Sequence, residues 1–198
     1  MIILGLTGSI ASGKSSVAFF LRKFFNAKTL DIDSVTHKLL EPGNILYNLY
    51  LHHFGEKILS QDAQLDRRKV ADIIFANKNE RLWINSVAHP ILLDKARNFL
   101  LDCQNNSVPF VVLEVPLLFD AGWQSLFDQI WCVYIPYFVQ IQRLMARDRL
   151  SYPQALRRIQ SQLSTKRLIR KSHVAIRNFG PKHAIYQQIS LAASRLLP

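Results

Sequence analysis

The stretch GSIASGKS, from Gly8 to Ser15, decides how the rest of the chain is read. It fits the spacing G-x-x-x-x-G-K-[ST], and it has the context which that spacing requires. Before it lies MIILGLT, an apolar run that predicts a short buried strand. After it, GKSSVAFFLRKFF predicts a helix with Val17, Leu21 and Phe24 or Phe25 on one face. In a strand–loop–helix of this kind the loop's N–H groups turn inward and cradle phosphate oxygens. The helix start adds a partial positive charge. Lys14 is then expected on the β- and γ-phosphates, and the Ser15 hydroxyl on Mg²⁺. Gly8 and Gly13 are small because the backbone turns sharply and approaches the ligand closely. The expected ligand is a nucleoside triphosphate, with Mg²⁺ as its cofactor.

Working outward, AKTLDID reads as a second strand that ends in carboxylates. Val108 to Val115 gives the strongest buried-strand signal, IWCVYI (Ile130–Ile135) a further one, and HVAIRN (His173–Asn178) a weaker one. YFVQIQRLMARDRL, SYPQALRRIQSQL and the tail from His183 to Leu197 read as helices. Strands separated by helices predict an α/β fold with a parallel sheet, here of five strands flanked by helices. Between the second and third strands the pattern is helical from Ser34 to about Leu101, broken at Glu41-Pro42-Gly43. That is too long for one crossover and predicts an inserted helical region. Within it, His89-Pro90 taken alone reads as a helix start.

With 198 residues, 49% of them hydrophobic, the chain can bury a sizeable core, which excludes a disordered protein. Twenty-five Lys and Arg against fourteen Asp and Glu give a net charge of +11, concentrated between Arg143 and Lys171, which suits a polyanionic partner. No nucleic-acid-binding motif accompanies it, so no nucleic acid is expected. Two cysteines without paired spacing imply neither a disulfide framework nor a zinc site and fit a reducing cytoplasm. Ile2-Ile3-Leu4 breaks at Gly5 with no basic region before it, unlike a signal peptide, and no long apolar run predicts a membrane span. A cytoplasmic protein without a membrane partner is expected; the oligomeric state stays open, with a monomer favoured.

The chemistry narrows from here. A guanine-nucleotide switch needs N-K-x-D and D-x-x-G. Asn77-Lys78-Asn79-Glu80 has Glu in place of Asp and lies in the helical insert, and Asp120-Ala121-Gly122 is one residue short. Asp31-Ile32-Asp33 is more informative. On an extended strand residues two apart share a side, and if that strand neighbours the first its end lies beside the glycine loop. Two carboxylates there can orient and deprotonate an acceptor hydroxyl or hold Mg²⁺ through water, or one of them can cap the next helix. Arg143 and Arg147, four apart on a helix, share a face and suit a mobile lid that clamps a transferring phosphoryl group.

Together these residues resemble the dephospho-CoA kinase family. LTGSIASGKSSVA is similar to the family's LTGGIGSGKSTVA, and DIDSVTHKLLEPG to its D-A-D…EPG stretch. Phe54-Gly55, Leu65–Arg68 (LDRR), Trp83–Asn85 (W-x-N), His89-Pro90 and Val115–Asp120 (VPLLFD) follow in the family's order. QIQRLMARD (Gln140–Asp148), SQLS and IRNFG complete a likeness from about residue 2 to 180.

The resemblance implies ATP-dependent phosphorylation of the 3′-hydroxyl of dephospho-CoA, the last step of coenzyme A synthesis. It implies a P-loop kinase core over residues 1–33, 108–136 and 172–198, a helical CoA-substrate region over 34–107, and a small helical lid over 137–171. Asp33 would be the base for the hydroxyl and Asp31 its neighbour on the substrate side. ATP would be held by Gly8, Ala11, Ser12, Gly13, Lys14, Ser15 and Ser16. His89, Pro116, Leu117 and Leu118 would lie near the acceptor, and Arg143 or Arg147 would be the lid arginine. Three positions depart from the family's pattern. Ala11 replaces a loop glycine, where a methyl group fits only at negative φ. Ser172-His173 stands in place of Ala-Asp, and Asp120 in place of Glu.

Overall fold

The computed structural model describes residues 1–197 (of Arg67 and Phe75, the backbone only). The apolar run at the start forms β1 (Ile2–Gly8), followed by α1 (Lys14–Phe25) and β2 (Lys28–Asp31). A helical stretch holds α2 (Ile32–Leu39), α3 (Ile45–Phe54), α4 (Arg67–Ala76) and α5 (Lys78–Asn105). Then come β3 (Phe110–Glu114), β4 (Gln129–Tyr134), α6 (Tyr137–Asp148), α7 (Tyr152–Gln160), α8 (Thr165–Lys171), β5 (Val174–Arg177) and α9 (Lys182–Leu196). The chain divides into one unit of residues 1–31 and 99–198 and a second of residues 32–98.

In the first unit five strands form one parallel sheet in the order β2-β3-β1-β4-β5. The strands read as continuous apolar runs because both faces are covered. Leu4 and Leu6 of β1, Phe110 and Val112 of β3, Trp131 and Val133 of β4 and Ile176 of β5 meet Val17, Leu21, Ile189 and Ala193 of α1 and α9. On the opposite face α8 lies against β1 and β4, and a Cβ at Gly5 would meet Leu118 and Phe127. In α1 the choice left open by the spacing falls to Phe25, which packs against the core while Phe24 is 58% exposed.

Three expectations change. β2 does not neighbour β1, because β3 lies between them. The Asp31-Ile32-Asp33 stretch is not extended throughout: β2 ends at Asp31, and Asp33 falls in the first turn of α2. Ile32, the first residue of α2, is buried. His89-Pro90 does not open a helix either, and Pro90 lies inside α5. Its missing N–H takes one hydrogen bond from the helix, but Ile84, Ala88, Leu92 and Ala96, buried at helical spacing on both sides, keep α5 continuous.

The second unit is helical. Leu46, Tyr47, Tyr50, Phe54, Ile58, Ile84, Ala88 and Leu92 are among its buried residues. Trp83 is stacked against the His53 ring at 3.6 Å between centroids, and His53 Nε2 meets Glu80 at 2.8 Å. Asn77 caps α5 by accepting the Asn79 amide at 2.9 Å, which is the structural work of the Asn77–Glu80 tetrapeptide. Gly43, at φ 84°, marks the break between α2 and α3.

Candidate active site

The loop from Gly8 to Ser15 leaves β1 at the C-terminal edge of the sheet, where the chain connections run to opposite sides and α/β folds place their ligands. Gly8 is in register with Val133, and a Cβ on Gly8 would lie 2.1 Å from the Val133 carbonyl oxygen. A Cβ on Gly13, which opens α1 at φ 82°, would lie 2.2 Å from Nδ2 of Asn178. Both glycines are required by close approach as well as by backbone angle.

Ala11 adopts φ 61°, so the negative φ expected for a methyl group there is not met. The left-handed conformation costs an L-residue roughly 1–2 kcal/mol, and a local turn accommodates it, the Ser12 amide donating to the Ser9 carbonyl at 3.1 Å with Ala11 third in the turn. The Ile10 amide donates to Oε1 of Gln162 at 3.2 Å, and Asn178 Nδ2 donates to the carbonyls of Ser12 at 2.7 Å and Gly13 at 3.4 Å.

The resulting loop is lined with donors. The first amides of a helix point out of its start, and here α1 opens with Lys14 and Ser15, while the Ser16 amide donates to the Gly13 carbonyl at 3.1 Å. Lys14 Nζ lies across the loop, donating to the Gly8 carbonyl at 3.3 Å. The Ser9 and Ser12 hydroxyls are buried without a hydrogen-bond partner among the described residues. A cavity of about 430 Å³ opens beside Ser15 and Ser16 and reaches Asn178, Lys182 and Tyr186. Amides, an ammonium and hydroxyls around one helix start suit a polyphosphate. Burial pushes the Cys132 thiol, in the neighbouring strand β4, up to about 12, so it stays protonated and adds no nucleophile.

Carboxylates stand at the ends of the strands beside the loop. Glu114, 7% exposed, ends β3 in register with Leu6 of β1, and Asp31 ends β2 in register with Glu114. Glu114 is thus the acid on the strand next to β1, with Asp31 one strand farther out. Asp33 belongs to the second unit, exposed on α2. Hard oxygen donors such as the Ser15 hydroxyl and these carboxylates are the kind Mg²⁺ prefers. Among the described residues no group of three or more His, Cys, Asp or Glu gathers that could hold a metal alone. A Mg²⁺ held by one or two side chains, phosphate oxygens and water fits that arrangement.

The remaining expected residues are spread over both units. Pro116 and Leu117 are half-buried in the turn after β3, whereas Leu118 is fully buried, with its side chain over Gly5. His89 is half-buried within α5 of the second unit. Arg143 and Arg147 are both exposed on α6. Arg147 bonds Asp148 through Nε at 2.7 Å and Nη2 at 3.1 Å, and Arg158 of α7 reaches the same carboxylate at 2.7 Å. The Arg147 hydrogen bond is the main reason the Asp148 carboxyl is held below its usual range.

Gln162 and Asn178 have no role in the sequence reading, although both stand in stretches quoted there, SQLS and IRNFG. Their only sequence signal is an amide side chain just beyond the end of an element. His173, where the family has an acid, accepts the Ile130 amide on Nδ1 at 3.0 Å, and its own amide donates to the Ile130 carbonyl at 2.8 Å. The position keeps an acceptor, with the ring's proton on Nε2.

Comparison with known proteins agrees with this geometry. A family model described as dephospho-CoA kinase matches residues 2–182. Curated relatives named dephospho-CoA kinase include one from Carboxydothermus hydrogenoformans, 38% identical over 94% of this chain and 90% of its own length. Another, from Moorella thermoacetica, is 41% identical over 88% of this chain and 82% of its own length. Among solved structures, TT1252 from Thermus thermophilus superposes with a TM-score of 0.78 at 27% identity, covering 100% of this chain and 98% of that one. Dephospho-CoA kinase from Campylobacter jejuni gives 0.68 at 25% identity, covering 98% and 96%. Shikimate kinase from Aquifex aeolicus, at 14% identity and a TM-score of 0.53, shares the fold alone. With a phosphate-cradling loop at the edge of a five-stranded parallel sheet and relatives matching along nearly its whole length, this chain belongs to the dephospho-CoA kinase family.

Proposed function

We propose that this protein transfers the γ-phosphoryl group of ATP to the 3′-hydroxyl of dephospho-CoA, giving coenzyme A and ADP. The observation that carries the reading is the donor-lined loop, with Lys14 and Ser15 opening α1 and Glu114 beside it on β3. The loop from Gly8 to Ser16 binds the phosphates of ATP, and its nucleoside extends toward the cavity bounded by Ser16, Asn178 and Tyr186. Lys14 lets go of the Gly8 carbonyl and neutralises charge on the β- and γ-phosphates. Ser15, with water oriented by Glu114 or Asp31, would hold Mg²⁺, which would supply further charge neutralisation.

The resemblance gives dephospho-CoA to the helical region of residues 34–107, with His89 in that region and Pro116, Leu117 and Leu118 after β3 as its further substrate residues. Asp33 accepts the proton of the 3′-hydroxyl. It lies two residues along the chain from Asp31, which ends β2. Arg143 or Arg147 clamps the phosphoryl group in flight, and closure keeps water from taking its place. Phosphoryl transfer is mostly positioning and electrostatics, and this site supplies both. Two buried free cysteines suit a reducing cytoplasm, and no helix among the described residues is long and apolar enough to cross a membrane. We place the enzyme there, with no nucleic-acid partner expected and the oligomeric state open, a monomer being favoured.

The test is incubation with Mg-ATP and dephospho-CoA, with coenzyme A and ADP as the expected products. Phosphorylation of nucleosides in place of dephospho-CoA would refute the substrate. Asp33→Asn keeps the shape of the side chain and a carbonyl acceptor but not its basicity. It is expected to lower kcat by roughly 10²-fold or more with stability within about 1 kcal/mol of wild type. Near-normal kcat in that variant would remove Asp33 as the base.

A further inference from the structure

Leu6 and Glu114 are the last register pair between β1 and β3, and the Val115 amide still donates to the Leu6 carbonyl at 2.9 Å. Beyond that point the register partners of β1 lie on β4, where Thr7 faces Cys132 and Gly8 faces Val133. The next bond toward β3 is made by a side chain. Thr7 Oγ1 donates to the Pro116 carbonyl at 3.2 Å. Thr7 is fully buried, and a β-branched side chain in a strand has few rotamers, so its hydroxyl points in a fixed direction. The turn after β3 is also bonded within itself, with the Ala121 amide on the Leu117 carbonyl at 2.8 Å and the Trp123 amide on the Leu118 carbonyl at 3.1 Å. Those bonds shape the turn without fixing it against β1. Leu118 packs over Gly5 of β1, but apolar packing has no direction of its own, and the Thr7 bond adds one. Thr7 thus stands between two sites: the next residue, Gly8, opens the phosphate loop, and the Thr7 hydroxyl holds the residue with which the turn begins.

We propose that Thr7 is a positioning residue: its hydroxyl fixes the turn at residues 116–118 against the start of the phosphate loop, and so sets where the acceptor stands relative to the phosphoryl group. Phosphoryl transfer depends on the alignment of donor and acceptor, so a small displacement of one against the other is costly. The hydroxyl acts through the Pro116 carbonyl and needs to touch neither substrate. This inference rests on the reading of Pro116, Leu117 and Leu118 as substrate residues.

The experiment uses the whole chain and the variants Thr7→Val and Thr7→Ser. Valine keeps the shape of the side chain without a donor, and serine keeps the donor. In Thr7→Val the KM for dephospho-CoA should rise roughly three- to tenfold, the scale of one lost hydrogen bond. The KM for ATP should move by less than about twofold, because the close approach of Gly8 to Val133 and the bond from Asn178 to the loop are untouched. Thr7→Ser should return the KM for dephospho-CoA to within about twofold of wild type. In ligand-free protein, hydrogen exchange of the peptide covering residues 115–123 should speed up in Thr7→Val and not in Thr7→Ser. A purely structural role would lower the folded, active fraction, which reduces kcat and leaves both KM values where they are. An unchanged KM for dephospho-CoA in Thr7→Val, an equal rise in both KM values, or a Thr7→Ser that behaves as Thr7→Val would overturn the proposal. If Thr7→Val does not fold, Thr7→Cys, similar in size with only a weak donor, takes the same readouts. Wild type that makes no coenzyme A from Mg-ATP and dephospho-CoA would overturn the acceptor reading, while the exchange measurement still decides whether the hydroxyl holds the turn.

Discussion

The phosphate loop and the basic helices α6 to α8 offer positive charge to the same kind of ligand, but they are built in opposite ways. The loop has one cation, Lys14, and owes its shape to burial: Gly8 and Ser9 are buried, Gly8 against the Val133 carbonyl, with Asn178 filling the space at Gly13. The helical segment carries most of the chain's excess charge, yet Arg143 and Arg147 are exposed, and of the two partners of Asp148 only Arg158 is half-buried. Exposed pairs contribute little to stability, so such a segment can move at small cost, whereas a buried loop that is bonded on both sides cannot. A rigid receiver and a movable clamp need different physics, and net charge distinguishes neither.

The sharpest way to break this contrast is Lys14→Ala. It should remove roughly 10²- to 10³-fold of kcat, the scale of losing one preorganised donor to developing charge, with thermal unfolding unchanged because the lysine supports no core. Turnover at the wild-type rate would mean that the loop's single cation has no part in transfer. The clamp is tested next, with Arg143→Ala and Arg147→Ala made separately. At least one should lower kcat by tenfold or more while KM for ATP changes far less, the signature of a contact formed mainly in the transition state. If both retain wild-type turnover, α6 presents only a solvated basic face. The smallest effect belongs to Asp148→Asn. Arg147 and Arg158 hold the Asp148 carboxyl below its usual range, so the stability it lends is complete above about pH 4 and is lost as pH falls through the lowered value. The variant should lose under about 1 kcal/mol at pH 7 and converge with wild type in strong acid, as read by denaturant unfolding. A larger loss would make the junction of α6 and α7 as rigid as the loop.

Much of this was legible in advance because it is local. The β1–loop–α1 unit follows from an apolar run, eight residues of fixed spacing and a helical period, and each of these is set by near neighbours in the chain. The five strands and the helical insert were legible for the same reason: alternation and periodicity report burial within a few residues. Legibility failed at junctions. Asp31-Ile32-Asp33 has no pattern that says where extension ends, and the chain turns from β2 to α2 between Asp31 and Ile32. His89-Pro90 has the composition of a helix start, but packing on both sides carries α5 through the proline.

Sequence spacing alone was enough to identify a phosphate-binding loop, the parallel α/β class and the candidate acids and arginines, because those are statements about residue type and short-range periodicity. Strand order was a tertiary matter: β3 is inserted between β2 and β1, and so Glu114, and not Asp31, ends the strand next to β1. The angle of Ala11 is local but unsignalled: at 61° it sits third in a turn closed by the Ser12 amide on the Ser9 carbonyl. The partners of Gln162 and Asn178 are tertiary, since the Ile10 amide and the Ser12 carbonyl come within reach of these side chains only when the fold joins stretches more than 150 residues apart.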